Sequence, residues 1–224
     1  MTDRQELLAD AAEPEVPRLS ARALKRRGEI LQAAHEVFTT KGFRNGSLGD
    51  IADRVGITHQ GILHYFGSKE QLLVEVLRDR DAAGRHEFET AERPEGLDFL
   101  QHVLRTVEKN VSRTGIVQAY TVLSAESVTE GHPAQTWFRD RFTGLRADLT
   151  EALRIACGPG TPVSDDQLDR AASALIAVMD GLQVQWLLDP DAVDMPAVVA
   201  MTLNALLVSW GRPPLSGCGD GSSG

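Results

Sequence analysis

Hydrophobic positions recur along this chain every three or four residues, and runs of alternating β-branched and polar residues are missing, so helices are expected throughout and strands are not. The first helix is expected from about Leu19 to Lys41. There Leu31, Ala34, Val37 and Phe38 share one face, and Gly42 follows as a C-terminal cap. A second, short helix starts after Ser47, whose side chain can accept a hydrogen bond from the first turn, with Asp50 forming a shortened capping box. It turns Leu48, Ile51, Ala52 and Val55 inward, and Gly56 stops it. Thr58 then caps a third helix whose buried side is Ile62 and Phe66, while Ser68 with Gln71 opens a fourth carrying Leu72, Leu73, Val76 and Leu77. Further helices are expected at about 95–113, 116–130, 133–157, 164–189 and 194–211. Gly115, His132-Pro133, the stretch CGPGTP, Asp189-Pro190 and Pro196 mark their boundaries.

The second and third helices need a small residue where their backbones come closest, a glycine at the bend and apolar residues on both sides. Ala52, Gly56, Ile57 and Ile62 meet these demands at helix-turn-helix spacing. The third helix then turns His59, Gln60, Gly61, His64 and Tyr65 away from the core. Gln pairs bidentately with adenine in the major groove, His donates to guanine, and Gly61 leaves room for close approach or for a thymine methyl. Ser47, Thr58, Tyr65 and Lys69 suit phosphates, Lys69 aided by the start of the fourth helix. A polar face on a short amphipathic helix can also be mere solvation. The distribution of charge favours the reading face.

Residues 1 to 17 hold one Arg against five acids, residues 18 to 80 hold eleven Lys and Arg against seven acids, and residues 81 to 224 hold eleven against twenty. A basic lobe on an acidic body suits a protein that meets a polyanion at one end. On the first helix Arg18, Arg22, Lys25 and Arg26 gather on one side, either as a solvated face or as a phosphate-facing arm.

The stretch GSLGDIADRVGITHQGILHYFGSKEQLLVEVL resembles the DNA-binding domain of the TetR family of bacterial transcriptional regulators, and EILQAAHEVFTTKGF resembles that family's first helix. The resemblance covers about a quarter of the chain, from near Arg27 to near Leu77. It implies an all-α fold with an N-terminal helix-turn-helix DNA-binding domain and a C-terminal helical ligand-binding and dimerisation domain. It further implies repression released by a small molecule, with His59, Gln60 and His64 over bases and Ser47, Tyr65 and Lys69 on phosphates. Leu63 stands where many members have Tyr, and Gln60 and Gly61 stand where Gly or Pro and Thr are frequent, which leaves the operator sequence open.

The domains expected are a disordered leader at 1–17, the DNA-binding domain at 18–80, the effector-binding and dimerisation domain at 81–212, and a disordered tail at 213–224. The last two helices carry the widest apolar surface. They suggest a two-fold four-helix bundle in a homodimer, with Ala174, Ala177 and Gly181 allowing close approach and Val199, Leu203, Leu206, Leu207 and Trp210 along one strip. Burial of that strip inside one protomer is the competing reading. Two heads about 34 to 36 Å apart would read a palindromic or nearly palindromic double-stranded operator. For an effector pocket the candidates are Phe99, His102, Tyr120, Trp137, Phe138, Phe142, Met179, Gln183 and Trp186, with His102 and Tyr120 as polar handles, although each one singly also suits core packing.

The 42% apolar content is ordinary for a globular protein, and no window approaches 18 to 20 uninterrupted apolar residues, so no membrane partner is expected and the location is read as cytoplasmic. Two cysteines and six scattered histidines lack ligand spacing, so neither metal nor cofactor is expected. No P-loop, G-x-S-x-G or H-E-x-x-H is present, and an enzyme is not expected. The rival reading is a helical dimer that binds a small molecule or protein, its helix-turn-helix serving only as structure. Substituting His59 and Gln60 together, with the fold intact, separates the two.

Overall fold

Ser20 opens the molecule's first helix by accepting a hydrogen bond from the Ala23 N–H at 3.2 Å, the ordinary N-cap device. The computed structural model describes residues 20–86, 94–161 and 163–215, so the expected leader lies outside it. Among these residues there are nine helices and no strand. They are α1 (Ala21–Asn45), α2 (Leu48–Val55), α3 (His59–Phe66), α4 (Lys69–His86), α5 (Gly96–Val111), α6 (Thr114–Glu126), α7 (Gln135–Cys157), α8 (Asp165–Leu188) and α9 (Met195–Ser209).

Local chemistry sets most of these ends. Gly42 takes φ +73°, which breaks the regular part of α1 after Lys41 and leaves a short turn through Asn45. Ser47 and Asp50 form a reciprocal capping box on α2, and Gly56 closes it in the left-handed conformation at φ +70°. Thr58 Oγ1 accepts from the Gly61 N–H at 3.1 Å, and Ser68 Oγ accepts from the Gln71 N–H at 3.1 Å.

The boundary expected at Gly115 falls just before it, between Val111 and Thr114, and the glycine has a second role. Gly115 lies in the first turn of α6, where a Cβ would come within 1.7 Å of the Thr39 carbonyl oxygen on α1. The glycine is there because two backbones touch. Leu215 differs too. Expected in a disordered tail, it is buried, and its N–H donates to Asn204 Oδ1 at 2.8 Å while Arg212 donates to Thr161 Oγ1 at 2.7 Å. Residues 216–224 lie outside the described part.

Two hydrophobic cores result. The first joins α1–α4 to Ile116, Ala119, Tyr120 and Leu123 of α6 and to Ala134, Trp137 and Phe138 around the start of α7. The second joins α5, most of α7, α8 and α9. Phe142 packs against both. The head therefore shares its core with the body rather than closing it within 18–80.

The α9 strip proposed for a partner has to be corrected. Val199, Leu203 and Leu207 are 1%, 2% and 0% exposed, because they pack into the second core of their own protomer, and Leu206 and Trp210 are half-buried against it. The outward side of α9 carries Ala197, Met201, Ala205 and Val208 instead, with Met201 64% and Val208 56% exposed. On α8 the exposed residues Ala174, Ala177, Gly181, Val184 and Leu188 recur at alternating spacings of three and four. By length and composition α8 is also apolar enough to cross a membrane, which the sequence reading did not expect; its inner side, from Leu168 to Trp186, is part of the second core.

Candidate nucleic-acid interface

α3 is amphipathic because Ile62 and Phe66, one turn apart, are drawn into the first core. That fixes the opposite side. His59, Gln60 and His64 stand exposed, while Tyr65 is half-buried and its ring meets that of His64 edge-on at 5.8 Å. Gly61 is half-buried, and a Cβ there would rest at ordinary contact distance against Thr58 and Ile57, so it faces the turn more than open solvent. Thr58 is exposed with its hydroxyl oxygen capping the helix.

The C-terminal end of α3 carries a cluster of charge that the sequence reading only half foresees. Lys69 extends over the Phe43 ring, Nζ 4.5 Å from its centroid, and the partial burial pushes its ammonium pKa down while Glu70 and Asp50 oppose the shift. Lys41 Nζ lies 2.7 Å from Asp50 Oδ1. That ammonium, together with the Ser47 backbone N–H and hydroxyl, holds the Asp50 carboxyl well below the usual carboxylate range. Ser47 Oγ itself donates to Asp50 Oδ2 at 2.8 Å, so its hydroxyl proton is engaged in the cap before any phosphate arrives.

Three contributors escaped the sequence reading. Phe43 supports Lys69; Arg27 of α1 pairs with Glu75 of α4 and lies 5.1 Å over the Phe66 ring; and Arg78 binds Glu75 at 2.5 Å. Together they pin the end of α3 between α1 and α4. Glu75 lies 48 residues from Arg27, so no local spacing announces the pair.

A short exposed helix held behind a left-handed glycine, capped by Thr58 and flanked by cations, is a groove-reading unit. Comparison with known proteins gives the same answer: residues 30–76 match the model described as bacterial regulatory proteins, tetR family, and residues 100–208 match the C-terminal part of BetI-type transcriptional repressors. This chain belongs to the TetR family. It is a helix-turn-helix transcriptional regulator.

Among relatives of this TetR-family chain, the HTH-type transcriptional regulator TtgR of Pseudomonas putida is 26% identical over 190 residues, covering 80% of this chain and 89% of that protein. The transcriptional repressor KstR2 of Mycolicibacterium smegmatis is 41% identical over 63 residues, 28% of this chain and 31% of that protein. A TetR-family regulator from Agrobacterium tumefaciens superposes with a TM-score of 0.62 at 22% identity, covering 84% of this chain and 98% of that one. FadR of Thermus thermophilus, solved with lauroyl-CoA, gives 0.61 at 20% identity, covering 88% and 100%. At these identities the two structures speak for the fold.

In the C-terminal domain of this TetR-family protein seven of the nine expected pocket residues divide between the two cores, and His102 and Gln183 lie outside both. Tyr120, Trp137 and Phe138 belong to the first, with ring centroids 4.6 to 5.3 Å apart, and Phe142 follows at 6.1 Å from Phe138. Trp186 is buried in the second core, where Phe99 and Met179 also pack; the His102 ring lies 6.5 Å from that of Phe99. Gln183 accepts from the Thr121 hydroxyl at 3.2 Å across the α6–α8 contact. Arg141 stacks over both Tyr120 and Trp137, at 5.4 and 5.6 Å.

Asp180, one turn before Gln183 and Val184, is the polar group missed here, although an acid inside the apolar run SALIAVMDGL was a signal. Burial raises its carboxyl to about 6 while Arg141 pulls the other way. Folded Asp180 thus keeps its proton to a higher pH than the unfolded chain does, and its contribution to stability falls as pH rises from about 4 to about 6. Asp180→Asn should melt like the parent at pH 4 and be roughly 2 to 3 kcal/mol more stable at pH 8. Urea unfolding at the two pH values checks this; a gap independent of pH would exclude the charge as its cause.

Proposed function

We propose that this protein is a repressor that grips a palindromic or nearly palindromic operator as a homodimer and releases it when a small molecule enters the C-terminal domain. The observation that carries the reading is the division of α3, with Ile62 and Phe66 sealed in the core and His59, Gln60 and His64 left facing outward. His59, Gln60 and His64 read base edges; Thr58, Tyr65, Lys69 and, once its cap loosens, Ser47 hold phosphates. The protein works in the cytoplasm, where its operator is.

Dimerisation is supported by the exposed seam of α8, Ala174, Ala177, Gly181, Val184 and Leu188, beside Met201, Ala205 and Val208 of α9. Small residues let two α8 helices approach, and the larger ones close the sides. The effector acts on the aromatic and polar layer where α6, α7 and α8 meet: Tyr120, Trp137, Phe138, Phe142, Asp180 and Gln183. Lauroyl-CoA in the Thermus thermophilus FadR supports a small-molecule occupant of this fold. A ligand that binds better when α6 has shifted against α1 would draw the population toward heads that no longer fit the operator.

The experiment is operator binding by wild type and Gln60→Ala, measured on promoter DNA upstream of the protein's own gene with each base pair varied. Gln60→Ala should lose about 1 to 3 kcal/mol at one base position and relax discrimination there. An unchanged base preference would remove Gln60 from the reading face, and wild type that prefers no sequence would overturn the repressor reading.

A further inference from the structure

We infer that Arg22 and Lys25 form a second phosphate-binding surface, on the flank of the head opposite Lys69. This rests on the DNA-binding reading above and extends it to a helix outside the helix-turn-helix. Between residues 22 and 27 α1 carries four cations, and the fold treats them differently. Arg26 Nη1 donates to the Val55 carbonyl at 3.1 Å and pairs with Glu29 at 2.9 Å. Arg27 is turned to the other side, onto Glu75 and Phe66. Arg22 and Lys25 are exposed, and no ion pair holds either of them among the described residues.

Where they stand follows from Arg26. Val55 is the last residue of α2, three before Thr58, the cap of the reading helix, so the Arg26 bond fastens the second turn of α1 beside the bend of the helix-turn-helix. Arg22 is one turn earlier on the same side, and Lys25 is adjacent to it around the helix. Farther along α1, the open concavity of about 750 Å³ between α1 and the end of α2 is lined by Arg26, Glu29, Glu36 and Arg54. Its charges cancel, because Arg54 pairs with Glu36 at 2.8 Å and Arg26 with Glu29. Beside the bend of the helix-turn-helix, the uncompensated positive charge is that of the first turns of α1.

Lys69 lies past the far end of α3, three residues after Phe66. An eight-residue helix is about 12 Å long, close to the roughly 12 Å width of the major groove. Cations at its two ends therefore meet the two phosphate walls. Arg22 and Lys25 add full positive charge to the wall at the Thr58 end of α3, and they touch phosphates only, so they add affinity without choosing a sequence.

The test is the salt dependence of binding by full-length wild type, Arg22→Ala/Lys25→Ala and the charge-preserving Arg22→Lys/Lys25→Arg, each on operator and on random duplex. In a dimer the alanine pair removes four phosphate contacts, so the slope of log K against log salt should become shallower by about 3 to 4. Affinity should drop by the same factor on both duplexes, the charge-preserving pair should match wild type, and thermal melting should not move because both side chains are exposed. An alanine pair with the wild-type slope would overturn the inference and leave the repressor reading intact, as would a loss confined to the operator. Wild type with a flat salt response would instead sink the reading beneath it.

Discussion

Gly115→Ala should unfold at a temperature roughly 2 to 12 °C below the parent and bind its operator poorly at temperatures where the parent is fully active. The added methyl would lie 1.7 Å from the Thr39 carbonyl oxygen, 2.3 Å from its carbon and 2.7 Å from its Cα, all of them backbone. No flexible side chain can yield, so α6 must slide off α1. Overpacking of this kind costs about 1 to 3 kcal/mol, and a protein of this size loses about 2 to 4 °C per kcal/mol. The affinity loss follows from the same contact, because α1 carries the reading head and α6 carries the body. Gly144→Ala is the control: nothing lies within 4 Å of a Cβ there, and an exposed helical glycine gains up to about 1 kcal/mol on becoming alanine. A Gly115→Ala protein with the parent's melting temperature would mean that α1 and α6 are not in backbone contact.

Ala177→Arg together with Gly181→Arg should convert the homodimer proposed above into a well-folded monomer and weaken operator binding at least 100-fold. Both positions are exposed in the protomer, so two arginines cost the single chain little, and nothing lies within 4 Å of a Cβ at Gly181. Across a two-fold axis the same change sets like charges face to face in an apolar seam, where unpaired burial is expensive. Binding falls because the second head no longer lands at high effective concentration once the first has landed, an advantage worth 10² to 10⁴. Sedimentation equilibrium and a binding titration read the two effects. A variant that stays dimeric would place the interface elsewhere, and a monomeric variant with full affinity would remove the requirement for paired heads.

The N-terminal third was legible because its signals are local. Ser47, Gly56 and Thr58 act on neighbours within three or four residues, and each sits where spacing put it. α9 was harder to read because it is apolar on every side, so periodicity could not rank its faces. The side with Val199, Leu203 and Leu207 fills the protomer core, and the side with Met201, Ala205 and Val208 is left outside. The aromatic candidates for a pocket are spread over two cores, since one sequence does not say which of two cores a ring will enter. Contacts joining distant parts of the chain, Phe43 with Lys69 and Arg27 with Glu75, leave no trace in spacing. Gly115 was legible as punctuation beside a helix start, but not as a residue that the Thr39 backbone requires, because both kinds of glycine carry the same letter.

The shared first core has a consequence for engineering. Ile30, Val37 and Phe38 of α1 lie in one cluster with Ile116, Ala119 and Leu123 of α6. A chimera that grafts this reading unit onto a foreign sensor would have to transplant the cognate α6 surface with it, so the cut that preserves function runs through the middle of the body and not between α4 and α5.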